Sequence, residues 1–169
     1  SFDENGKLSG SALVLEPAKA EQLASALKSQ KLTVAQVEAK PSTRKPYAPF
    51  TTSTLQQEAS RKLGMSAKQA MDTAQQLYQE GHITYMRTDS PSLSQQATSA
   101  ARAAGAELFG KDLVADAPRI YGSKSKNAQE AHEAIRPSGE VFKHPNELAS
   151  TLHGRSLALY ELIWRRTVA

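Results

Sequence analysis

The chain has 169 residues, with no cysteine, and its 21 lysines and arginines exceed its 17 aspartates and glutamates to give a formal net charge of +4. This length allows one domain, or one domain with part of another, and it is sufficient to bury a core without disulfide or metal cross-links. The absence of cysteine excludes a disulfide framework, a thiolate zinc site and a cysteine nucleophile, while the mild basicity permits an anionic partner without identifying one.

Residues 1–40 predict a small α/β piece. Glu16 and Pro17 begin a helix that runs to about Leu27, because proline fits the first helical turn. The partial alternation of apolar and polar residues at 32–37 predicts a strand. Residues 41–49 contain three prolines, which disfavour regular pairing and predict a hinge between two parts of the chain.

Beyond residue 50 the sequence becomes helical, in keeping with 26 alanines and 17 leucines against 6 valines and 4 isoleucines. Ser53 with Gln56 predicts one capping box, and Gly64 ends that helix. Ser66 with Gln69 predicts a second box before an amphipathic helix. Two helices joined by a tight glycine turn are compatible with a DNA-binding helix-turn-helix unit or with two simply packed helices, and both interpretations stay open.

Three further helices are predicted at about 92–109, 145–152 and 157–168, and Asp89 or Ser90 is the expected cap of the first of these. Residues 111–129 are loop-like. Lys126 lies in their most polar part and is a candidate contact to a DNA phosphate, although a solvated loop explains it equally well. The fold class is therefore mainly α with a small β part, and no run of about 18 apolar residues predicts a membrane span.

The segment 81–90 separates two predicted helices and carries Tyr85 and Arg87. A phenol oxygen can attack a phosphodiester and hold the phosphoryl group as an ester. An arginine nearby can bind the phosphate through two donors. Because a tyrosine near an arginine is more often a packing or surface contact, this chemistry alone does not assign a function.

Three long stretches resemble, in the same order, motifs of the bacterial type IA DNA topoisomerases, the topoisomerase I family. Residues 49–59 read PFTTSTLQQEA, residues 83–90 read ITYMRTDS, and residues 127–137 read NAQEAHEAIRP. The resemblance extends over most of residues 32–169. Long literal matches in order are far more specific than a short spaced pattern.

The resemblance implies an enzyme that relaxes negatively supercoiled DNA. Such an enzyme cuts one strand, passes another strand through the gap and rejoins the cut without ATP. Tyr85 is then the nucleophile that becomes linked to the 5′ phosphate, Arg87 positions the scissile phosphate, and His132 lies beside the phosphate and supports cleavage. Arg136 is a further expected DNA contact, together with Lys126, Arg87 and His132.

The resemblance also implies a domain organisation. Residues 1–40 would be part of the α/β arch (gate) domain, 41–49 a hinge, 50–152 the helical domain carrying the catalytic tyrosine, and 153–169 a helix returning towards the arch. The family's magnesium-binding acidic cluster belongs to a separate domain, and no Asp-x-Asp pattern occurs here. We therefore expect Mg²⁺ in the full-length enzyme, no metal or cofactor on these residues, and a fragment that cannot relax DNA alone.

The expected partners are single-stranded and underwound DNA and the rest of the same polypeptide, in the bacterial cytoplasm at the nucleoid and not at a membrane; the oligomeric state stays open. The main alternative is a non-catalytic helical DNA-binding module, whose binding would be led by phosphate contacts. A related type IA decatenase or the topoisomerase half of a reverse gyrase is a third reading. Glu130 and Glu133 beside His132 are interpreted as scaffold, because one histidine and two carboxylates are too little for a metal assignment.

Overall fold

The computed structural model describes residues 14–31, 33–122 and 132–169. Within them the helices are α1 Pro17–Lys28, α2 Thr52–Leu63, α3 Ala67–Gln79, α4 Gln95–Phe109, α5 Pro145–Leu148 and α6 Gly154–Val168, with a short 3-10 helix at Lys111–Leu113. Strand pairing in the described residues is limited to two antiparallel bridges, Phe50 with Ile135 and Ile83 with Pro137. The expected mainly α fold is confirmed.

The chain divides into two compact units, Ser1–Thr43 and Arg44–Ala169. In the first unit, α1 begins at Pro17 as predicted and buries none of its residues. The prediction of a strand at 32–37 is wrong for its described residues, because 33–43 form no regular element and Val34 and Val37 are exposed. Alternation predicts only a surface suited to pairing, and a strand exists only where a neighbour satisfies its backbone groups.

Local capping explains where α2 and α3 begin and end. At α3 the predicted box is present, with the Gln69 amide donating to the Ser66 hydroxyl at 3.2 Å and the Ser66 amide donating to the Gln69 side chain at 3.0 Å. At α2 the box is formed by Thr51 and Thr54, so the prediction of Ser53 with Gln56 is wrong. Gly64 ends α2 at φ +64°, a left-handed conformation that favours glycine, as predicted.

The later helices keep their predicted places with shifted ends. Helix α4 begins after Ser94, whose hydroxyl accepts from the Ala97 amide at 3.2 Å, so Asp89 and Ser90 are not its cap. Helix α5 is shorter than predicted, and its cap is His144, whose Nδ1 accepts from the Asn146 amide. Helix α6 begins at 154 instead of 157.

Helix α6 lies in the core of the second unit. It packs against α2, α3, α4 and α5, and it buries most of one face, including Leu159, Tyr160 and Ile163. The other large, fully buried side chains come from α2, α3 and the two bridged segments: Phe50, Leu55, Leu77, Ile83, Ile135 and Pro137. Residues 50–152 and 153–169 thus share one core, while the names arch, hinge and tyrosine domain stay predictions.

Arg166 of α6 attaches the chain that leads into α2. Its guanidinium donates to the Ala48 carbonyl at 3.2 Å, lies 3.3 Å from a Glu58 carboxylate oxygen, and stands 4.1 Å from the centre of the Phe50 ring. These contacts attach the residues just before α2, and Glu58 within α2, to the C-terminal part of α6. Among the described helices, none is both long and apolar enough to cross a membrane.

Candidate active site

Tyr85 and Arg87 lie on an irregular segment, with bends at Thr84 and Met86, whose side chains alternate between solvent and core. Tyr85, Arg87 and Asp89 are exposed, whereas Met86 and Thr88 between them are buried. The segment therefore exposes a phenol, a guanidinium and a carboxylate, and it is anchored through Met86 and Thr88.

One edge of this segment is held by the histidine motif. The Thr84 amide donates to the Arg136 carbonyl at 2.9 Å. The Thr84 hydroxyl donates to the Ala134 carbonyl at 2.8 Å and accepts from the Arg136 amide at 3.0 Å. Together with the bridge between Ile83 and Pro137, these bonds fix the residue before Tyr85 to a segment fifty residues later in the chain.

The other edge is held by the first turn of α2. The Thr52 amide donates to the Thr88 carbonyl at 2.9 Å, and the Thr52 hydroxyl accepts from the Thr88 amide at 2.9 Å and donates to the Met86 carbonyl at 2.8 Å. The α2 side is itself tied to the histidine motif, because the Ile135 amide donates to the Phe50 carbonyl at 2.8 Å. The three family-like stretches therefore form one hydrogen-bonded arrangement.

An open pocket of about 400 Å³ lies where the three stretches meet. It brings together Arg87 and His132, which are 45 positions apart in sequence, and its full lining is Thr51, Thr52, Ser53, Arg87, Thr88, Asp89 and His132. The N-terminus of α2 adds the partial positive charge of its amides. An arginine, a histidine and a helix N-terminus form an environment suited to a phosphate, with Asp89 as a carboxylate at the same site.

Tyr85 is outside the lining of this pocket and lies two residues before Arg87 in the chain. The side chain is 44% exposed, and its ring packs edge-to-face on Tyr78 of α3, with the ring centres 5.3 Å apart. This contact orients the phenol while leaving it accessible to a large substrate. Nothing in the sequence around either tyrosine indicates that Tyr78 contacts Tyr85.

Arg136 is buried, in contrast to Arg87. Its guanidinium donates twice to one Glu133 carboxylate oxygen, at 2.7 and 3.0 Å, and once to the Pro137 carbonyl at 2.8 Å. The other Glu133 oxygen accepts from the Ser94 amide at 2.6 Å. Burial raises the pKa of Glu133, but the hydrogen bonds from Arg136 and Ser94 outweigh it and the net pKa is lowered. This geometry supports a structural role for Arg136, and its contact with DNA stays a prediction.

Two further sequence-based predictions cannot be placed. Lys126 and Glu130 lie outside the described residues. In the described ranges 14–31, 33–122 and 132–169, no group of three or more histidine, cysteine, aspartate or glutamate side chains is arranged to hold a metal ion. The proposed scaffold role of Glu133 agrees with its bonds to Arg136 and Ser94.

The sequence analysis missed the two threonines that join the segments, Thr52 and Thr84. For Thr84 a signal was available, because Thr84 and Thr88 flank Tyr85 and Arg87 and alternate with them along the chain. This pattern does not identify the hydrogen-bond partners of the threonines, because a hydroxyl bonds equally well to local and to distant backbone groups.

Comparison with known proteins gives consistent matches. A family model described as DNA topoisomerase matches residues 3–169. The DNA topoisomerase 1 of Mycolicibacterium smegmatis is 55% identical over 170 residues, covering 99% of this chain and 18% of that protein. The DNA topoisomerase 1 of Streptomyces coelicolor is 57% identical over 169 residues, again covering 99% of this chain and 18% of the relative.

A solved structure is also similar. Full-length topoisomerase I from Thermotoga maritima superposes with a TM-score of 0.58 at 44% sequence identity, covering 72% of this chain and 19% of that protein. The chain thus spans less than a fifth of the length of these relatives.

Proposed function

The chain belongs to the DNA topoisomerase family, among the bacterial type IA enzymes, and from this premise we propose that it carries the strand-cleaving site of such an enzyme. The observation that carries the proposal is the shared pocket of Arg87 and His132 at the N-terminus of α2, with the exposed Tyr85 two residues from Arg87. The proposed substrate is single-stranded or underwound DNA.

In the proposed reaction, the Tyr85 oxygen attacks a phosphorus atom of the DNA backbone. The phenol proton is lost, a new bond joins the phenol oxygen to the 5′ phosphate, and the bond to the 3′ oxygen breaks, leaving a 3′ hydroxyl once that oxygen takes up a proton. One phosphodiester replaces another, so the reverse attack by the 3′ hydroxyl rejoins the strand without ATP. The break held open in this way is where a second strand would pass.

The arginine and the histidine of the pocket have distinct proposed roles. Arg87 would bind the non-bridging phosphate oxygens through two donors and offset the charge that develops in the transition state. His132 would supply a positive charge or a proton beside the leaving oxygen, as an imidazole can in either role. The partial positive charge at the N-terminus of α2 would further favour a phosphate in this pocket.

The remaining features of the proposal concern the whole protein. By resemblance to the family, we propose that Mg²⁺ is bound by an acidic cluster in another part of the polypeptide, where it would offset negative charge on the phosphate oxygens. It follows that the 169-residue chain alone would not relax supercoiled DNA. The proposed setting is the bacterial cytoplasm, with DNA of the nucleoid and the rest of the polypeptide as partners.

A trapping experiment tests the proposal. The full-length enzyme that carries this chain is mixed with a labelled single-stranded oligonucleotide and denatured, and the linked residue is mapped by mass spectrometry. We expect the label on Tyr85 and no adduct from Tyr85→Phe, with noncovalent binding retained. Tyr78→Phe is the matched control, because Tyr78 is equally exposed and packs on the same ring.

The outcomes separate the two candidate functions. A label on any other residue, or an adduct that survives Tyr85→Phe, would overturn the assignment of the nucleophile. Absence of any adduct, together with salt-dependent duplex binding that Tyr85→Phe leaves unchanged, would favour the non-catalytic DNA-binding module. Relaxation of supercoiled DNA by the 169-residue chain alone, assayed with magnesium, would contradict the proposed dependence on the rest of the polypeptide.

A further inference from the structure

We infer that Thr52 is a positioning residue for strand cleavage, and that its hydroxyl aims Arg87 into the phosphate pocket by holding the backbone on both sides of that arginine. This inference rests on the proposed function. Thr52 is the first residue of α2 and lies 35 positions before Arg87 in sequence. Nothing in its local sequence distinguishes it from the neighbouring threonines.

The hydrogen bonds of Thr52 bracket Arg87. Its hydroxyl donates to the carbonyl of Met86, the residue immediately before the arginine, at 2.8 Å, and the Thr88 carbonyl is a second, longer acceptor at 3.1 Å. The same hydroxyl accepts from the amide of Thr88 at 2.9 Å, the residue immediately after it. A single side chain therefore satisfies one acceptor and one donor of the segment that presents the guanidinium.

The hydroxyl is not used for helix capping. The cap of α2 is Thr51, whose side chain accepts from the Thr54 amide. Removing the Thr52 hydroxyl therefore leaves the capping box in place. It also leaves the bond from the Thr52 amide to the Thr88 carbonyl, at 2.9 Å, so the segment stays attached to α2 by a single bond.

With one bond remaining, the segment is attached but its direction is less restrained. The Met86 carbonyl and the Thr88 amide lose their partner, and each gains by rotating towards water or another group. Met86 and Thr88 stay packed in the core, but Arg87 between them is exposed, so packing of its own side chain does not correct its aim. Misplacement of a catalytic group by about 1 Å is enough to slow a reaction by roughly 100-fold.

The test compares Thr52→Val, which keeps the shape and removes the hydroxyl, with Thr52→Ser, which keeps the hydroxyl. In the full-length enzyme we expect Thr52→Val to slow adduct formation on labelled oligonucleotide by roughly 10- to 100-fold, with a much smaller change in the dissociation constant for uncut DNA. Thr52→Ser should restore most of the rate. The rate is measured at saturating DNA, so that chemistry and binding are separated.

The matched control is Thr167→Val in α6. Its buried hydroxyl donates to the Ile163 carbonyl at 2.9 Å within the helix, so the same substitution removes a hydroxyl hydrogen bond from the core. If Thr52 acted on stability alone, Thr52→Val and Thr167→Val would form the adduct at similar rates when each is assayed the same number of degrees below its melting temperature. A slow adduct step in both, or in neither, would overturn the inference.

A second readout is independent of catalysis. Hydrogen exchange of the Thr88 amide, followed by NMR in the 169-residue chain, should be faster in Thr52→Val and unchanged in Thr52→Ser. If the wild-type enzyme forms no adduct on Tyr85, the proposed function fails while this measurement still decides whether Thr52 orders the segment. Unchanged exchange in Thr52→Val would refute the positioning role whatever the chemistry.

Discussion

Glu133→Gln removes one charge from the ion pair that Glu133 forms with Arg136 inside the histidine motif. The glutamate accepts from Arg136 through one oxygen and from the Ser94 amide through the other. Glutamine keeps the shape but carries one acceptor and one donor group, so it can serve only one of these two partners. The substitution leaves either the guanidinium or the helix cap residue facing an N–H donor.

The expected cost follows from the burial of the pair. The Arg136 side chain is 9% exposed and Glu133 is 26% exposed. Removing one partner of a fully buried pair costs about 3–5 kcal/mol, because the other charge is left uncompensated. Since Glu133 is partly hydrated and Arg136 keeps its bond to the Pro137 carbonyl, we expect Glu133→Gln to lower the free energy of unfolding by about 2–3 kcal/mol. That corresponds to a fall in melting temperature of roughly 5–10 °C.

The effect has a definite pH dependence. The net pKa of Glu133 in the folded chain lies below its ordinary value of 4.5. The unfolded state then binds the proton more tightly, so the stabilisation is present above pH 4.5 and is lost as the pH falls through the lowered pKa. The difference between wild type and Glu133→Gln should therefore shrink on acidification.

Urea denaturation of the 169-residue chain, followed by circular dichroism at several pH values, measures the free energy of unfolding that Glu133→Gln removes and how this loss changes with pH. Glu161→Gln is the matched control, because Glu161 forms an exposed pair with Arg165 at 2.6 Å and its loss should cost at most about 0.5 kcal/mol. Equal losses from the two substitutions at neutral pH would refute the reasoning. So would a difference from wild type that grows as the pH falls.

Three other predictions concern stability and titration. Leu77→Ala, in the core, should cost about 3 kcal/mol in urea denaturation, whereas Leu108→Ala at a half-exposed position should cost under about 0.5 kcal/mol; similar costs would contradict the assigned core. Gly64→Ala should cost about 1–2 kcal/mol by thermal melting through backbone strain alone, since φ is +64° and no atom lies within 4 Å of the added methyl; an unchanged melting temperature would contradict it. The hydrogen bond from Arg61 lowers the pKa of Glu58 to about 2. An NMR titration of Glu58 should therefore find its midpoint there, and a higher midpoint in Arg61→Gln. The stability that this ion pair contributes should be lost only as the pH falls below 4.5.

Features whose determinants lie close together in the chain were predictable from sequence. The box of Ser66 and Gln69 and the helix end at Gly64 each depend on a few neighbouring residues, and both are confirmed. The box at α2 was misplaced because the run from Thr51 to Thr54 offers several equivalent hydroxyls. In the structure the Thr52 hydroxyl bonds to Met86 and Thr88, which lie 34 and 36 positions later in the chain, and the capping role falls to Thr51.

The candidate site divides in the same way. The identity of Tyr85, Arg87 and His132 as candidates came from literal resemblance of the sequence, and membership of the family is confirmed by the comparisons, while their catalytic roles stay proposals. Composition and spacing alone would not have selected them. What the amino-acid sequence determined was the set of chemical groups and the order in which they occur.

Only the tertiary structure decided which of these groups meet. It places Arg87 and His132 on one pocket, buries Arg136 in an internal ion pair, and leaves Tyr85 exposed against Tyr78. The physical reason is that a guanidinium or a hydroxyl is satisfied equally well by DNA, by a carboxylate or by a backbone carbonyl. Its actual partner is chosen by packing of distant segments, here the core around α6, and that choice has no signature within the residue's own stretch of sequence.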